Sequence, residues 1–315
     1  MSDTALGQVQ MSKPKSIKKS ARPSAKRNPA LAGAAPITVS GRWIASVFAL
    51  VFLGAALCVW GTLCLMFWLG SWQLLYHPSA TVRRTPASAG LAFDQVAFDA
   101  ADTGVPQLQG WWIPASLPAR YTAIYFHSAD GNLGDAIDTL ARLHSAGLNI
   151  FAIDYRGYGQ SQFAHPSEAR WLHDAEAALD YLTGTRHIAA SSIVLIGSGL
   201  GANLALEIAA EQPQLAGVVL DQPLAAPADA IFNDPRARLV PAHLLVHDRW
   251  DATAPATALR IPSLWFAKES DPGTQVSSRV TSPKMVVWIG SNALPARDYQ
   301  DALSRWLDNL PQDRK

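Results

Sequence analysis

The chain has 315 residues, 49% of them apolar and 16% charged, with a mean hydropathy of +0.06. That supply of core-forming side chains excludes a wholly disordered protein and a collagen-like one. The net charge of +1 conceals two opposed segments: residues 1–42 carry eight basic side chains and one acid, and the remainder carries 18 basic and 24 acidic ones. A nucleic-acid partner is therefore not expected, because the bulk of the chain is acidic.

Residues 1–42 read as a solvated, disordered arm rich in Lys, Ser, Pro and Ala. No charged residue occurs from Trp43 to Val82, and 44–69 is a nearly unbroken apolar run of 26 residues. A bilayer-spanning helix needs about 20, so 43–76 is expected to hold one transmembrane helix and an interfacial segment, with Trp68, Trp72 and Tyr76 as its aromatic belt. A cleaved secretory signal would have a shorter apolar region and a small-residue cleavage site. A lipoprotein anchor fits poorly, since Cys58 and Cys64 each follow leucine. Both cysteines fall in the span, so no disulfide is available to the rest of the chain. Positive charge before the span and only Arg83 and Arg84 close behind it predict a cytoplasmic N-terminus and an extracytoplasmic main domain. In a Gram-negative bacterium that compartment is the periplasm.

Residues 77–315 have the size of a single α/β domain. The only linker-like stretch is the Pro/Ala/Ser segment 78–90. LAFDQVAF (91–98) and LQGWWIP (108–114) alternate apolar and polar residues and predict an antiparallel pair. YTAIYFH (121–127), NIFAIDY (149–155), IVLIG (193–197), GVVLD (217–221), IPSLWFA (261–267) and KMVVWIG (284–290) read as strands buried on both faces. Helical patterns lie between and after them, at 133–146, 167–183, 200–212 and 296–310. Pro166-Ser167-Glu168 marks the start of the second, and its Trp171, Ala175, Ala178 and Leu182 recur along one face. The alternation predicts a mostly parallel, doubly wound sheet. Residues 223–260 interrupt it and are expected to cross the carboxyl edge of the sheet, where ligands bind in such folds.

The segment IVLIGSGLGANLALEIAA (193–210) turns from strand to helix through glycines, and two motifs compete for it. Gly197, Gly199 and Ala202, with Asp221 closing the next strand, match a dinucleotide-binding fingerprint over 197–221. Gly197 and Gly201 also fit the nucleophile elbow G-x-S-x-G, whose central position is here Gly199. The phosphate-cradling turn normally opens the first βαβ unit of a domain, whereas at least four strands precede this one. Dinucleotide binding is therefore the lesser alternative.

Taken in order, YFHSADGNLGD (125–135), FAIDYRGYGQSQ (151–162), PSEARWLHDAEAALDYL (166–182), IVLIGSGLGANLA, IPSLWFAKESD (261–271) and KMVVWIGSN make the sequence resemble the α/β-hydrolase superfamily. The nearest branch in resemblance is the membrane-anchored serine hydrolases related to the fungal bud-emergence protein. DYRGYGxS followed by PSE is the most specific piece, and the likeness covers about 75–310. It implies an α/β-hydrolase fold with a serine at the elbow, an acid after a later strand and a histidine after the last strand. On this chain the serine position falls on Gly199, the acid on Asp271, and the histidine on or near Asn292. No histidine occurs after His247.

Glycine offers no oxygen to activate, and asparagine accepts no proton near neutral pH. The oxyanion loop departs too. The family pattern is similar to His-Gly-Asn-Ala-Gly-Asn, whereas this chain has His127-Ser128-Ala129-Asp130-Gly131-Asn132. Ser128 and Leu200 would supply the backbone donors, and an ionised Asp130 facing the pocket would oppose a developing oxyanion. Ser198 with His127 as base is the substitute pair to consider. Against it, Ser198 reads as a plain turn residue and His127 as a loop-orienting histidine. His243 and His247, four apart beside Asp248 and Asp251, lack the pattern of a zinc helix. No metal or cofactor is expected. Trp111 and Trp112 point to opposite faces of a strand, one to the core and one to a rim.

The sequence thus predicts a single-pass membrane protein whose α/β-hydrolase domain has lost the usual triad. Such a domain is expected to bind a small ester-like or lipid-like ligand or a protein partner. The alternative is an active esterase, lipase or thioesterase with rewired residues.

Overall fold

The apolar run 44–69 lies within one helix, α1 (Gly41–Gly70), whose first turn carries Arg42 and which is followed by a 3-10 turn at Ser71–Leu74. The computed structural model describes residues 38–100, 104–268, 273–290 and 295–311, and it divides into one unit ending at Gly54 and another beginning at Ala55. In the first unit every described side chain is exposed. Helix α1 is long and apolar enough to cross a membrane, and its most apolar window is wholly unburied.

The second unit is built on a single large sheet. Its strands are β2 (Asp94–Phe98), β3 (Leu108–Ile113), β4 (Thr122–Phe126), β6 (Asn149–Asp154), β7 (Ile193–Ser198), β8 (Gly217–Asp221), β9 (Ser263–Lys268) and β10 (Lys284–Ile289). They are ordered β2-β3-β6-β4-β7-β8-β9-β10. Strand β3 runs antiparallel to both β2 and β6, and the other pairs are parallel. The two-residue strands β1 (His77–Pro78) and β5 (Asp130–Gly131) pair with each other.

Runs such as Thr122–Phe126 are buried along their whole length because helices cover both faces of the sheet. One face packs against α3 (Glu168–Asp180) and α4 (Leu200–Glu211) through Trp171, Ala175, Leu204 and Ile208. The other packs against α2 (Ile137–Ser145) and α9 (Ala296–Asp308) through Leu140, Leu143, Leu303 and Trp306. Ser167 caps α3 as expected, its hydroxyl accepting from Arg170 N. The expected end at 183 is replaced by a wider helical turn over Tyr181–Thr185. Trp111 is buried and Trp112 half-buried beneath the Arg186 guanidinium, 4.1 Å from its ring centre.

Two segments differ from expectation. Residues 78–90, which read as a linker, are strapped to the domain: Asn132 Nδ2 donates to the carbonyls of Ser79 and Thr81, and Arg84 pairs with Asp138. Residues 223–260 hold the short helices α5 (Asp229–Phe232), α6 (Ala242–Leu245) and α7 (Thr253–Ala258). Their entry is fixed by buried Asn203 on α4, which accepts from Leu224 N and donates to Leu224 O. Helix α8 (Gly273–Ser278) follows β9.

Candidate active site at the strand-to-helix elbow

Strand β7 ends at Ser198, and α4 begins at Leu200, so one residue makes the turn. That residue, Gly199, has φ +55° and ψ −123°, a conformation that costs a residue with a side chain about 1–3 kcal/mol. Two neighbouring glycines permit the tight packing around it. A Cβ at Gly197 would lie 2.1 Å from the Gly201 carbonyl oxygen, and one at Gly201 would lie 2.3 Å from that of His127. At Gly199 itself the space is open: an added Cβ would meet only Ser128 Cβ, at 3.4 Å. The backbone thus presents position 199 beside the loop after β4, with no side chain on it. Leu200, the first residue of α4, carries one of the N–H groups that a helix leaves without an intrahelical acceptor.

Ser198 points elsewhere. Its Oγ accepts from Tyr125 Oη at 3.3 Å and is hydrogen-bonded to Asp221, its register partner on β8. Burial pushes the Tyr125 hydroxyl up to about 12, with Ser198 pulling the other way, so the phenol is a neutral donor. Burial likewise raises the Asp221 carboxyl, against hydrogen bonds from Gln222 and Ser198. Asp221 also accepts from Gly199 N through its main-chain oxygen, at 2.9 Å, and so braces the elbow.

His127 occupies the opposite face of the sheet. Its ring is 2% exposed and lies among Tyr155, Tyr158 and Trp171, whereas Tyr125, the partner of Ser198, packs with the α2–α9 side. Nδ1 donates to the Ser128 carbonyl at 2.7 Å. Nε2 lies 3.4 Å from Asp154 Oδ1, within ion-pair distance but without hydrogen-bond geometry. The structure does not bring Ser198 and His127 together as nucleophile and base, and His127 has the contacts of a loop-orienting residue. Asp130 does not face the elbow: it is 78% exposed and pairs with His77 Nδ1 at 2.7 Å. Asp271 and Asn292 lie outside the described residues.

Residues 119–290 match the family model described as Hydrolase_4, serine aminopeptidase S33. The chain belongs to this α/β-hydrolase family. Among its relatives is the uncharacterized protein Rv2307c of Mycobacterium tuberculosis, 28% identical over 84% of this chain and 94% of that protein. Protein bem46 of Schizosaccharomyces pombe is 33% identical over 36% of this chain and 38% of its own length. The α/β-hydrolase domain-containing protein WAV2 of Arabidopsis thaliana is 32% identical over 41% and 43%. In structure, the Pyrococcus furiosus esterase Pf2001 superposes with a TM-score of 0.58 at 16% identity, covering 75% of this chain and 98% of that one.

The geometry explains why α/β-hydrolase membership was legible in DYRGYG and PSE. Tyr155 Oη donates to the His127 carbonyl and Tyr158 Oη to the Ala129 carbonyl, so two tyrosines of one motif hold the loop after β4. Arg156 grips buried Asp174 on α3 through Nε and its own N–H, at 2.6 and 2.9 Å. Tyr155 stacks on Trp171 at 3.8 Å. Glu168 accepts from the backbone N–H groups of Arg249 and Trp250, tying the start of α3 to the excursion. These scaffold roles were missed in the sequence, although the motif that contains them was its strongest signal. His243, considered as a metal ligand, stacks on Phe232 at 4.2 Å, and Asp248 accepts from Tyr76 Oη at 2.8 Å.

Proposed function

We propose that this chain is a membrane-anchored α/β-hydrolase-like protein that has lost acyl transfer by the serine route. In this reading it acts by binding a small ester-like or lipid-like ligand, or a protein partner, in the cleft above the elbow. The observation that carries the proposal is the residue at the apex. Gly199 holds the strained turn conformation and faces open space beside Ser128, yet it has no oxygen for a base to activate. Ser198 is no substitute where it stands, because Tyr125 and Asp221 hold its hydroxyl on the other side of the sheet. Helix α1 supports the anchor by its length and apolarity, and the basic arm before it supports a cytoplasmic N-terminus with the domain across the membrane.

A fluorophosphonate probe, which labels activated serines, tests the proposal. The native chain is expected to remain unlabelled, and Ser198→Ala is expected to change nothing in that assay. Labelling of the native chain that Ser198→Ala abolishes would overturn the proposal in favour of a rewired hydrolase. The single variant Gly199→Ser is expected to fold and stay silent, and Gly199→Ser with Asn292→His is expected to gain measurable esterase activity.

A further inference from the structure

The excursion between β8 and β9 rests on the distal turns of α1. Trp60 Nε1 donates to the Leu239 carbonyl at 3.1 Å. A crevice of about 210 Å³ between them is lined by Leu63, Met66, Phe67, Leu74, Leu239 and Val240. The excursion shows bare apolar side chains to the outside: Leu239, which lines the crevice, is 62% exposed, and Leu244, next to a Leu245 that shares a pocket with Trp68 and Leu69, is 78% exposed. Arg236 and Arg238 are exposed in the same 3-10 turn, Pro235–Leu239, where Arg236 pairs with Asp234.

Depth along α1 gives this patch its meaning. The apolar run continues to Leu69, and the aromatic belt that marks the interface begins at Trp68; Leu239 is bonded to Trp60 below that belt, and Arg236 lines the crevice with Gly70 and Ser71 at its level. Trp60 lies ten residues before the end of the helix at Gly70, about 15 Å at 1.5 Å per residue. Trp60 is eight residues, about 12 Å, below Trp68, so the turns from Trp60 to Gly70 climb from the upper acyl region to the headgroup level. The Pro235–Leu239 turn, bonded to Trp60 and packed beside Leu63, sits at the same depth. Leucines exposed at that depth have lipid as their neighbour, and flanking arginines suit the phosphate level.

We propose that residues 235–245 form a second membrane contact, seated in the domain-side interface of the bilayer that α1 crosses. Leu239 and Leu244 enter the upper acyl region, and Arg236 and Arg238 stay among the headgroups. The occupant of this face is phospholipid. The inference rests on the reading of α1 as a span, and it makes the protein bitopic by one helix and monotopic by one lobe, with the domain held in a fixed orientation to the surface.

The test uses the full chain in phosphatidylcholine–phosphatidylglycerol nanodiscs with Cys58 and Cys64 replaced by serine. An environment-sensitive fluorophore is placed on Phe48→Cys, Leu239→Cys, Leu244→Cys or, as a control, on Leu117→Cys, where the native leucine is 79% exposed. Quenching by lipids carrying a nitroxide near the headgroup is then read. The expected result is strong quenching at 48, 239 and 244, with values at 239 and 244 at least about threefold that at 117. Quenching at 48 while 239 and 244 behave like 117 overturns the proposal and leaves the span standing. No quenching at 48 overturns the span and the lobe with it. Hydrogen exchange of the unsubstituted chain gives a label-free check: residues 235–245 should exchange more slowly in nanodiscs than in detergent, and equal rates count against the contact.

Discussion

Two adjacent positions at the elbow show how direction and side chain together decide chemistry. At 198 the side chain leaves toward Tyr125 and Asp221, and at 199 a side chain would have open space beside Ser128 but there is none. Glycine spacing in the sequence was enough to locate the turn. The fate of the Ser198 hydroxyl was not legible, because its partners come from β4 and from β8. A second residue carries a testable charge effect. Burial pushes Glu207 on α4 up to about 7, with Glu168, Glu211 and Asp251 adding to the rise. An unfolded chain holds that proton only to about pH 4.3, so the folded state binds the extra proton between those values. Its stabilising effect is fully present at low pH and is lost as pH rises through 7. Thermal unfolding followed from about pH 5 to about pH 8 should show Tm falling, and Glu207→Gln should flatten that fall. An unchanged slope in the variant would remove Glu207 as its source.

At the scale of elements, the periodicities located every major strand and helix, and the errors cluster where long-range contacts set the ends. LAFDQVAF begins its pairing only at Asp94, and 167–183 closes in a wide turn rather than an α-helical one. The segment 78–90 misled for a physical reason: prolines and small residues suit a linker, but the bonds that fasten it come from Asn132 and Asp138, about 50 residues away. The excursion was expected over the carboxyl edge of the sheet, but its tie to the chain after α1 was not legible, since Tyr76 and Asp248 meet across 172 residues. That contact is worth testing. Tyr76 is buried, donates to Asp248 and accepts from Trp250 Nε1 at 2.9 Å. Tyr76→Phe strands both partners, and a loss of about 1–3 kcal/mol in unfolding free energy is expected. Hydrogen exchange should rise at 246–252. Faster exchange spread evenly over the sheet would instead mean that Tyr76 serves the core as a whole.

At the scale of the whole molecule, the sequence divides into a positive head, an uncharged helix and an acidic domain, and this division predicts topology. In sealed cells or right-side-out vesicles, added protease should reach the domain but spare residues 1–42, and inverted vesicles should reverse the pattern. Cleavage of the arm from outside would overturn the proposed orientation. The α/β-hydrolase fold was readable because its motifs are the scaffold of the loop and the elbow. The missing hydroxyl at the apex was readable because it depends only on which atoms a glycine lacks at one named position.

The pairing of His77 and Pro78 with Asp130 and Gly131 has a mechanical consequence. Only the six residues 71–76 separate the end of α1 from that pairing, so the chain leaving the helix is fastened at once to the loop that follows β4. A pull on that short connection would therefore load the loop after β4 before it loads the sheet.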